Sequence, residues 1–116
     1  MNRVLDKRFP NTICGVVHQG KHWYSKKSNK YFPKRDMCQF SWYCDGKDDD
    51  PKNRKAYVYS IALTKYFLKR SMMIIDFTEG ATHYHADYID RPRWAKRKNF
   101  KQTVQIDTHI FYRWDQ

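Results

Sequence analysis

The longest regular element that the sequence predicts is a helix over residues 51–70, and any fold of this chain has to accommodate it. Asp50 suits the N-cap and Pro51 the first helical position, and the acidic run 48–50 complements the positive end of a helix. Apolar side chains at helical spacing share one face: Tyr59, Ala62, Leu63, Tyr66 and Phe67. Such a stripe is typical of a helix that faces a core, so we expect other elements to pack against it.

Length and composition predict a single domain over residues 1–116. A chain of 116 residues is long enough for one hydrophobic core. Aromatic residues make up 17% of it, which excludes simple disorder. No apolar run approaches the roughly 20 residues that a membrane span needs, and no secretory signal is visible, so we expect no membrane span.

The charge balance predicts an anionic partner. Lys and Arg number 23 and Asp and Glu 12, which gives a formal net charge of +11. Nucleic acid, an anionic membrane face and an acidic cell-wall polymer all fit this charge, and so does a solvated basic face without a partner. The densest basic cluster comprises Arg91, Arg93, Lys96, Arg97, Lys98 and Lys101.

The chain before the long helix predicts short elements. Asn11 or Thr12 can cap a short helix, and Gly20 is a plausible stop for it. Residues 21–35 are polar and basic with aromatics interleaved, which is typical of a loop. Residues 37–44 are apolar and aromatic, and fit either a short strand or a buried turn.

The chain after the long helix predicts a small sheet. Residues 72–77 are apolar and are expected to form a short buried segment. Residues 103–114 have the pattern of a hairpin with its turn near Asp107 and Thr108. The predicted fold class is therefore α+β, with a few helices first and a small antiparallel hairpin late.

The three cysteines are Cys14, Cys38 and Cys44. An odd count argues against a complete disulfide framework, and the spacing of Cys38 and Cys44 lacks the second ligand pair of a structural zinc site. We expect buried free thiols, with one disulfide left open as the alternative for an exported protein.

Four segments in order resemble one family. They are Asn2-Arg3-Val4 with residues 8–17 (RFPNTICGVV), residues 39–42 (QFSW) with residues 44–46 (CDG), residues 80–86 (GATHYHA) with Pro92 and Trp94, and residues 109–113 (HIFYR). Together they are similar to the catalytic domain of the SleB/CwlJ-type cell wall hydrolases, which include spore-cortex-lytic enzymes and phage lysis proteins. The resemblance covers nearly the whole chain.

The resemblance implies a lysozyme-like α+β fold that acts on the glycan strands of peptidoglycan. In this family a Glu acts as general acid on the glycosidic oxygen, and cleavage is of the lytic-transglycosylase type. The reaction needs one carboxylic acid of raised pKa. Because the 6-hydroxyl of the sugar can replace water as the nucleophile, the second carboxylate of ordinary glycosidases is not strictly required.

The sequence departs from the family at the general acid. The resemblance places that Glu in a helix before the Asn-Arg-Val block, whereas Met1 immediately precedes the block here, so the domain is expected to be N-terminally truncated. Glu79 is the sole Glu, lies beside the third block, and is expected at an exposed turn, where a carboxyl group is a poor acid. We therefore expect the acid to come from another chain or an upstream segment, or the chain to be non-catalytic.

The resemblance carries over eight candidate substrate-binding residues: Gln39, Ser41, Trp42, Thr82, His83, Tyr84, His85 and Tyr112. Gln39 and Ser41 are expected to line the glycan cleft, the alternative being that they hydrogen-bond buried backbone. Five aromatic residues can stack on sugars or fill the core: Trp23, Tyr24, Tyr31, Trp42 and Trp94.

A metal site is the alternative for the histidines. On a strand, His83, His85 and Asp87 would share one face, and two His with an Asp can bind zinc. The resemblance gives no support for a metal, so we expect hydrogen-bonded cleft histidines, no metal and no cofactor.

Three functions follow from the sequence. The first is a peptidoglycan-cleaving domain of phage or bacterial origin. The prediction that it is an enzyme rests on the family resemblance, and the 116 residues alone are expected to be inactive. The second is a non-catalytic wall-binding or virion structural protein on the same fold. The third is a basic nucleic-acid-binding module, since basic residues with interleaved aromatics also bind single strands. Peptidoglycan or an anionic wall polymer is the expected partner, and a second chain is expected to supply the missing helix. The expected site of action is the cell wall. The protein would reach it after cytoplasmic synthesis in an infected host, or carried in a virion.

Overall fold

The computed structural model describes residues 1–70 and 73–116 and has an α+β architecture, as predicted. Its elements in chain order are α1 (Asn2–Leu5), α2 (Ile13–Val17), β1 (Gly20–Ser25), β2 (Lys30–Cys38), a 3-10 turn (Ser41–Cys44), α3 (Arg54–Lys69), β3 (His83–Ala86), a second 3-10 turn (Trp94–Lys96), β4 (Phe100–Ile106) and β5 (His109–Trp114). They form two compact units: unit 1 comprises residues 1 and 3–64, and unit 2 comprises residues 2 and 65–116. Across the two described ranges, no helix has the length and apolarity of a membrane span.

A threonine cap starts α2. The Thr12 hydroxyl accepts a hydrogen bond from the Gly15 N–H at 3.0 Å, which selects Thr12 rather than Asn11 from the two expected caps. The helix ends at Val17, and Gly20, which was expected to stop it, lies beyond it as the first residue of β1.

Residues 20–38 form an antiparallel hairpin, so the prediction of a loop over residues 21–35 is wrong. Trp23 of β1 pairs with Phe32 of β2, and the turn ends at Asn29, whose φ of 54° lies in the left-handed region that Asn tolerates. The sequence hides these strands because aromatic side chains occupy both faces of the ribbon. The alternation of apolar and polar residues that marks a half-buried strand is therefore missing.

A disulfide joins Cys38 at the end of β2 to Cys44 in the first 3-10 turn, with Cα atoms 6.1 Å apart. The prediction of free thiols is therefore wrong for this pair, and Cys14 is free but exposed rather than buried. The spacing did not reveal the pair because the bond depends on how the chain turns back after β2. Gly20 adjoins this bond, since an added Cβ would lie 2.7 Å from the Cys38 Cα.

Helix α3 begins at Arg54 rather than Pro51 because Asn53 caps it, its Oδ1 accepting a hydrogen bond from the Ala56 N–H at 3.0 Å. The expectation that its apolar stripe is core is wrong within the described part of the chain. Tyr59 is 70% exposed, and no residue of the helix is buried. Helical spacing gathers apolar residues on one face, but it does not specify what covers that face.

Unit 2 contains a three-stranded antiparallel sheet in the order β3-β5-β4. The hairpin predicted over residues 103–114 is confirmed, although β4 begins earlier, at Phe100. The turn contains Asp107 at φ 50°, as the turn signal indicated. The sheet gains its third strand because residues 83–86 pair with β5.

The core of unit 2 is small and aromatic. Its buried residues are Ala95, Phe100 and Tyr112, with Trp94, Ile110 and Trp114 packed against them. The Phe100 and Trp114 rings stack with centroids 5.5 Å apart. Large rings therefore supply most of the apolar contact in this unit.

Residues 73–77 are largely exposed, so the predicted buried segment over residues 72–77 is wrong where the structure describes it; Met72 lies outside the described residues. The exposed fractions are 82% for Met73, 74% for Ile75 and 73% for Phe77. The run is apolar, but the turn that follows it is organised by a polar residue.

That turn is organised by Asp76 and by Asn2, which belongs to the same unit. The Asn2 Nδ2 donates to Asp76 Oδ2 at 2.8 Å, to Thr78 Oγ1 at 3.2 Å and to the Ala81 carbonyl at 2.9 Å. Asp76 also accepts from the Thr78 hydroxyl and N–H and from the Gly80 N–H. These bonds fix the chain where it enters β3.

The hydrogen bonds keep Asp76 ionised. Partial desolvation alone would raise the pKa of this carboxyl, but hydrogen bonds from Thr78, Gly80 and Asn2 outweigh it and lower the pKa from 3.8 to about 2. A carboxyl group whose pKa is lower in the folded state stabilises the fold above its unfolded pKa. This contribution is lost as the pH falls through the folded value.

Asp76→Asn is expected to lower the free energy of unfolding by about 1 kcal/mol at pH 7, because it removes a charged acceptor that is partly exposed. Urea unfolding at several pH values measures this. The difference from the wild type should shrink between pH 3.8 and about 2, the window set by the two pKa values. Asp90→Asn, at an exposed position, is the control, and an equal loss in both variants would contradict the role of Asp76.

Candidate functional site

The expected substrate-binding residues form two groups, one in each unit. Unit 1 holds Gln39, Ser41 and Trp42, and unit 2 holds Thr82, His83, Tyr84, His85 and Tyr112.

The unit 1 group lies on the loop that the Cys38–Cys44 disulfide closes. The loop is anchored by the Gln39 N–H, which donates to the Gln19 carbonyl at 2.9 Å. The side chains of Gln39 and Ser41 are exposed, and neither hydrogen-bonds backbone in the described part of the chain. The covalent closure therefore presents both polar side chains to solvent.

Trp42 offers this loop a ring surface. It is 49% exposed, with the Tyr43 ring at its edge 6.5 Å away and the Phe40 ring 6.3 Å away. Tyr43 in turn stacks on His18 at 4.5 Å, and the Arg3 guanidinium lies 5.7 Å from the Phe40 ring. These contacts hold the neighbouring rings while half of Trp42 remains accessible.

Strand β3 places its three candidate residues on two opposite faces. His83 and His85 share one face because they are two residues apart, and Tyr84 lies on the other. Tyr84 is 51% exposed and packs near Phe111 and His109, with ring centroids 5.8 and 5.3 Å away. The two histidines therefore face the aromatic core, whereas Tyr84 faces solvent.

His85 is buried and bonded at both ring nitrogens. Its Nδ1 lies 2.8 Å from the Ala86 carbonyl and its Nε2 lies 3.1 Å from the Tyr112 hydroxyl. A carbonyl only accepts, so Nδ1 carries a proton, and in the neutral ring Nε2 accepts from the Tyr112 hydroxyl. The His85 and Tyr112 rings also stack, with centroids 5.4 Å apart.

His83 lies among three aromatic rings. Its centroid is 4.8 Å from that of Phe100, 5.1 Å from that of Trp94 and 6.0 Å from that of Trp114. Its Nδ1 is 2.9 Å from the Thr82 hydroxyl. The ring is half-buried, so the cluster surrounds a partly accessible imidazole with apolar rings.

The alternative of a metal site has no geometric support. Within residues 1–70 and 73–116, no three His, Cys, Asp or Glu side chains are grouped to hold a metal ion. Asp87, the third member of the suggested set, instead accepts a hydrogen bond from Gln105 Nε2 at 3.1 Å.

Glu79 occupies an exposed turn, as predicted. Its φ of 55° places it in the left-handed region, followed by Gly80 at φ 79°. The side chain lies outside the aromatic core of unit 2. Among the described residues, none gives Glu79 the apolar burial that makes a carboxyl group a general acid at neutral pH.

Hydrogen bonds and nearby cations lower the pKa of several aspartates. A hydrogen bond from Lys52 lowers the pKa of Asp48, and a hydrogen bond from Arg113 lowers that of Asp115. Together with Asp76, these groups are stabilised in their ionised form. Each of them is thereby made a weaker proton donor, which is opposite to what a general acid requires.

The basic cluster near residues 91–101 is partly used by the fold itself. Arg91 Nη2 donates to the Ala95 carbonyl at 2.7 Å, and its guanidinium lies 5.8 Å from the Tyr112 ring centroid. Lys101 pairs with Asp115 at 3.3 Å. Neither these roles nor the hydrogen bond from Asn2 to Asp76 could be predicted from the sequence, because the partners are set by tertiary structure.

Comparison with known proteins adds a family. A family model described as Cell Wall Hydrolase matches residues 1–112, which confirms the resemblance inferred from the four sequence segments. No curated protein and no solved structure matches the chain.

Tyr112→Phe is expected to lower the free energy of unfolding by about 1 to 2 kcal/mol, because it leaves the buried Nε2 of His85 without its donor. Chemical denaturation measures the loss, and Tyr84→Phe, at a 51% exposed position, should change it by less than about 0.5 kcal/mol. A double-mutant cycle with His85→Leu should show coupling between the two rings. Additive losses would contradict the inferred hydrogen bond.

Proposed function

Because the chain belongs to the cell wall hydrolase family, we propose that it acts on the glycan strands of peptidoglycan as part of a lytic transglycosylase. The observation that carries this proposal is the family match over residues 1–112. Family membership itself indicates peptidoglycan-lytic activity. The transglycosylase type of cleavage and the lysozyme-like form of the domain are proposed from the resemblance of the four sequence segments to this family.

We assign direct sugar contacts to the candidates that reach solvent. Trp42 can stack on a sugar face, with Gln39 and Ser41 beside it to hydrogen-bond hydroxyl groups. In unit 2, Thr82, His83 and Tyr84 are half-buried or exposed. His85 and Tyr112 are 7% and 1% exposed, so their proposed role is to fix β3 and its neighbours rather than to touch substrate.

The general acid of this reaction is proposed to come from outside the 116 residues. The acid must protonate the glycosidic oxygen as the bond to the anomeric carbon breaks. The 6-hydroxyl of the same sugar then attacks that carbon and returns its proton to the conjugate base of the acid. Glu79 is the sole Glu, and its exposed turn does not suit this task.

The second candidate function is wall binding without cleavage. The observation that favours it is the same placement of Glu79, combined with the stabilised ionised form of Asp48, Asp76 and Asp115. A chain with binding residues and no suitable proton donor can still recognise glycan. Cleavage of peptidoglycan in the presence of a further polypeptide that supplies the acid would distinguish the first function from wall binding without cleavage.

The chain alone is expected to release few soluble muropeptides from purified peptidoglycan, and Glu79→Gln should leave this low level unchanged. Zymography and chromatography of released fragments measure the activity. Release comparable with that of an authentic lytic enzyme, abolished in Glu79→Gln, would show that Glu79 is the acid and that the proposed external donor is wrong.

Trp42→Ala is expected to weaken binding to purified peptidoglycan by about fivefold, which corresponds to the roughly 1 kcal/mol of an aromatic stacking contact. A sedimentation assay with insoluble peptidoglycan measures the affinity. Tyr88→Ala, at a position 79% exposed and outside both candidate groups, is the matched control. Equal binding by the Trp42 variant and the wild type would exclude this contact.

A further inference from the structure

The hairpin of β1 and β2 concentrates positive charge. Its residues 20–35, here named the basic hairpin, contain no Asp or Glu. Its cationic side chains are Lys21, Lys26, Lys27, Lys30, Lys34 and Arg35. About half of the net charge of +11 therefore lies on one two-stranded ribbon.

The basic hairpin also carries an aromatic pair on each face. Trp23 and Phe32 stack with centroids 5.2 Å apart, and Tyr24 and Tyr31 lie 5.0 Å apart. Because successive side chains alternate, the two pairs lie on opposite faces of the ribbon. The four rings are between 38% and 73% exposed, so each face presents an aromatic surface to solvent.

The charges of the basic hairpin are not neutralised by the fold. In the described ranges, no carboxylate forms an ion pair with its lysines, and Arg35 has only an exposed contact with Asp36 at 3.8 Å. In the cluster at residues 91–101, by contrast, Arg91 and Lys101 are engaged within unit 2. The hairpin therefore presents its lysines to a polyanion without competition from carboxylates of the fold.

We propose that the basic hairpin binds an anionic, phosphate-bearing polyol or sugar polymer of the cell wall. The lysines would pair with successive phosphates, while the ring pairs would pack against the apolar faces of the intervening polyol or sugar units. The choice of polymer rests on the proposed function, because a protein that acts on peptidoglycan meets this polyanion at its substrate. Binding through the hairpin would concentrate the chain on the wall.

The test compares intact Gram-positive cell walls with the same walls after hydrofluoric acid has removed the phosphate polymer. The test variant is Lys26→Gln/Lys27→Gln/Lys30→Gln, at exposed positions in and beside the turn. The control is Lys55→Gln/Lys65→Gln/Lys69→Gln on α3, which lowers the net charge by the same amount. Circular dichroism verifies that both variants are folded.

The wild type is expected to bind intact walls about tenfold or more tightly than stripped walls, with a steep loss of affinity as salt rises. The hairpin variant should lose this advantage and the control should keep it. Equal affinity of the wild type for both walls, or equal losses in both variants, would overturn the proposal. Tighter binding of single-stranded DNA than of soluble wall polymer would also overturn it, in favour of a nucleic-acid partner.

The same experiment separates this proposal from the proposed function. Binding to stripped peptidoglycan that the hairpin variant retains supports glycan recognition, whatever the hairpin does. Binding to intact walls without any binding to stripped peptidoglycan supports the hairpin and contradicts the glycan proposal.

Discussion

The rest of unit 2 depends on the contacts that the buried Tyr112 side chain makes. Its ring is 1% exposed, lies edge-on to Trp94 with centroids 5.3 Å apart, and has Arg91 above it. Its hydroxyl completes the hydrogen bonding of His85. The Tyr112 side chain thus joins β3 and the second 3-10 turn to β5. Its aromatic ring supplies apolar contact area, and its hydroxyl satisfies the buried Nε2 of His85.

Unit 1 is stabilised by different means. The buried residues among its described members are Val16 and Cys44, and α3 buries none. So little buried apolar area is typical of small folds that depend on covalent links, and here the Cys38–Cys44 bond closes the loop with Gln39, Ser41 and Trp42. The loop with the candidate sugar contacts is therefore constrained by a bond rather than by a core.

The sequence predicted elements whose signals are local. Thr12 caps α2, and the hairpin of β4 and β5 turns at Asp107, because these features depend on residues a few positions apart. It missed the bond of Asn2 to Asp76, because these residues are 74 positions apart. It also missed the local hairpin of β1 and β2, because aromatic side chains on both faces remove the usual alternation. The site shows the same division, since the motif contained His85 and Tyr112, but only the fold shows that both are buried.

The electrostatics of the chain favour binding over proton transfer. Aspartates such as Asp48, Asp76 and Asp115 are paired with donors that stabilise the ionised form, while the lysines of the basic hairpin remain available to solvent. A general acid needs a carboxyl group that is desolvated and held away from such donors. The described residues instead combine a cationic ribbon with exposed aromatic surfaces. These properties support the two proposals made above, that the chain holds a wall polymer and that another group supplies the proton.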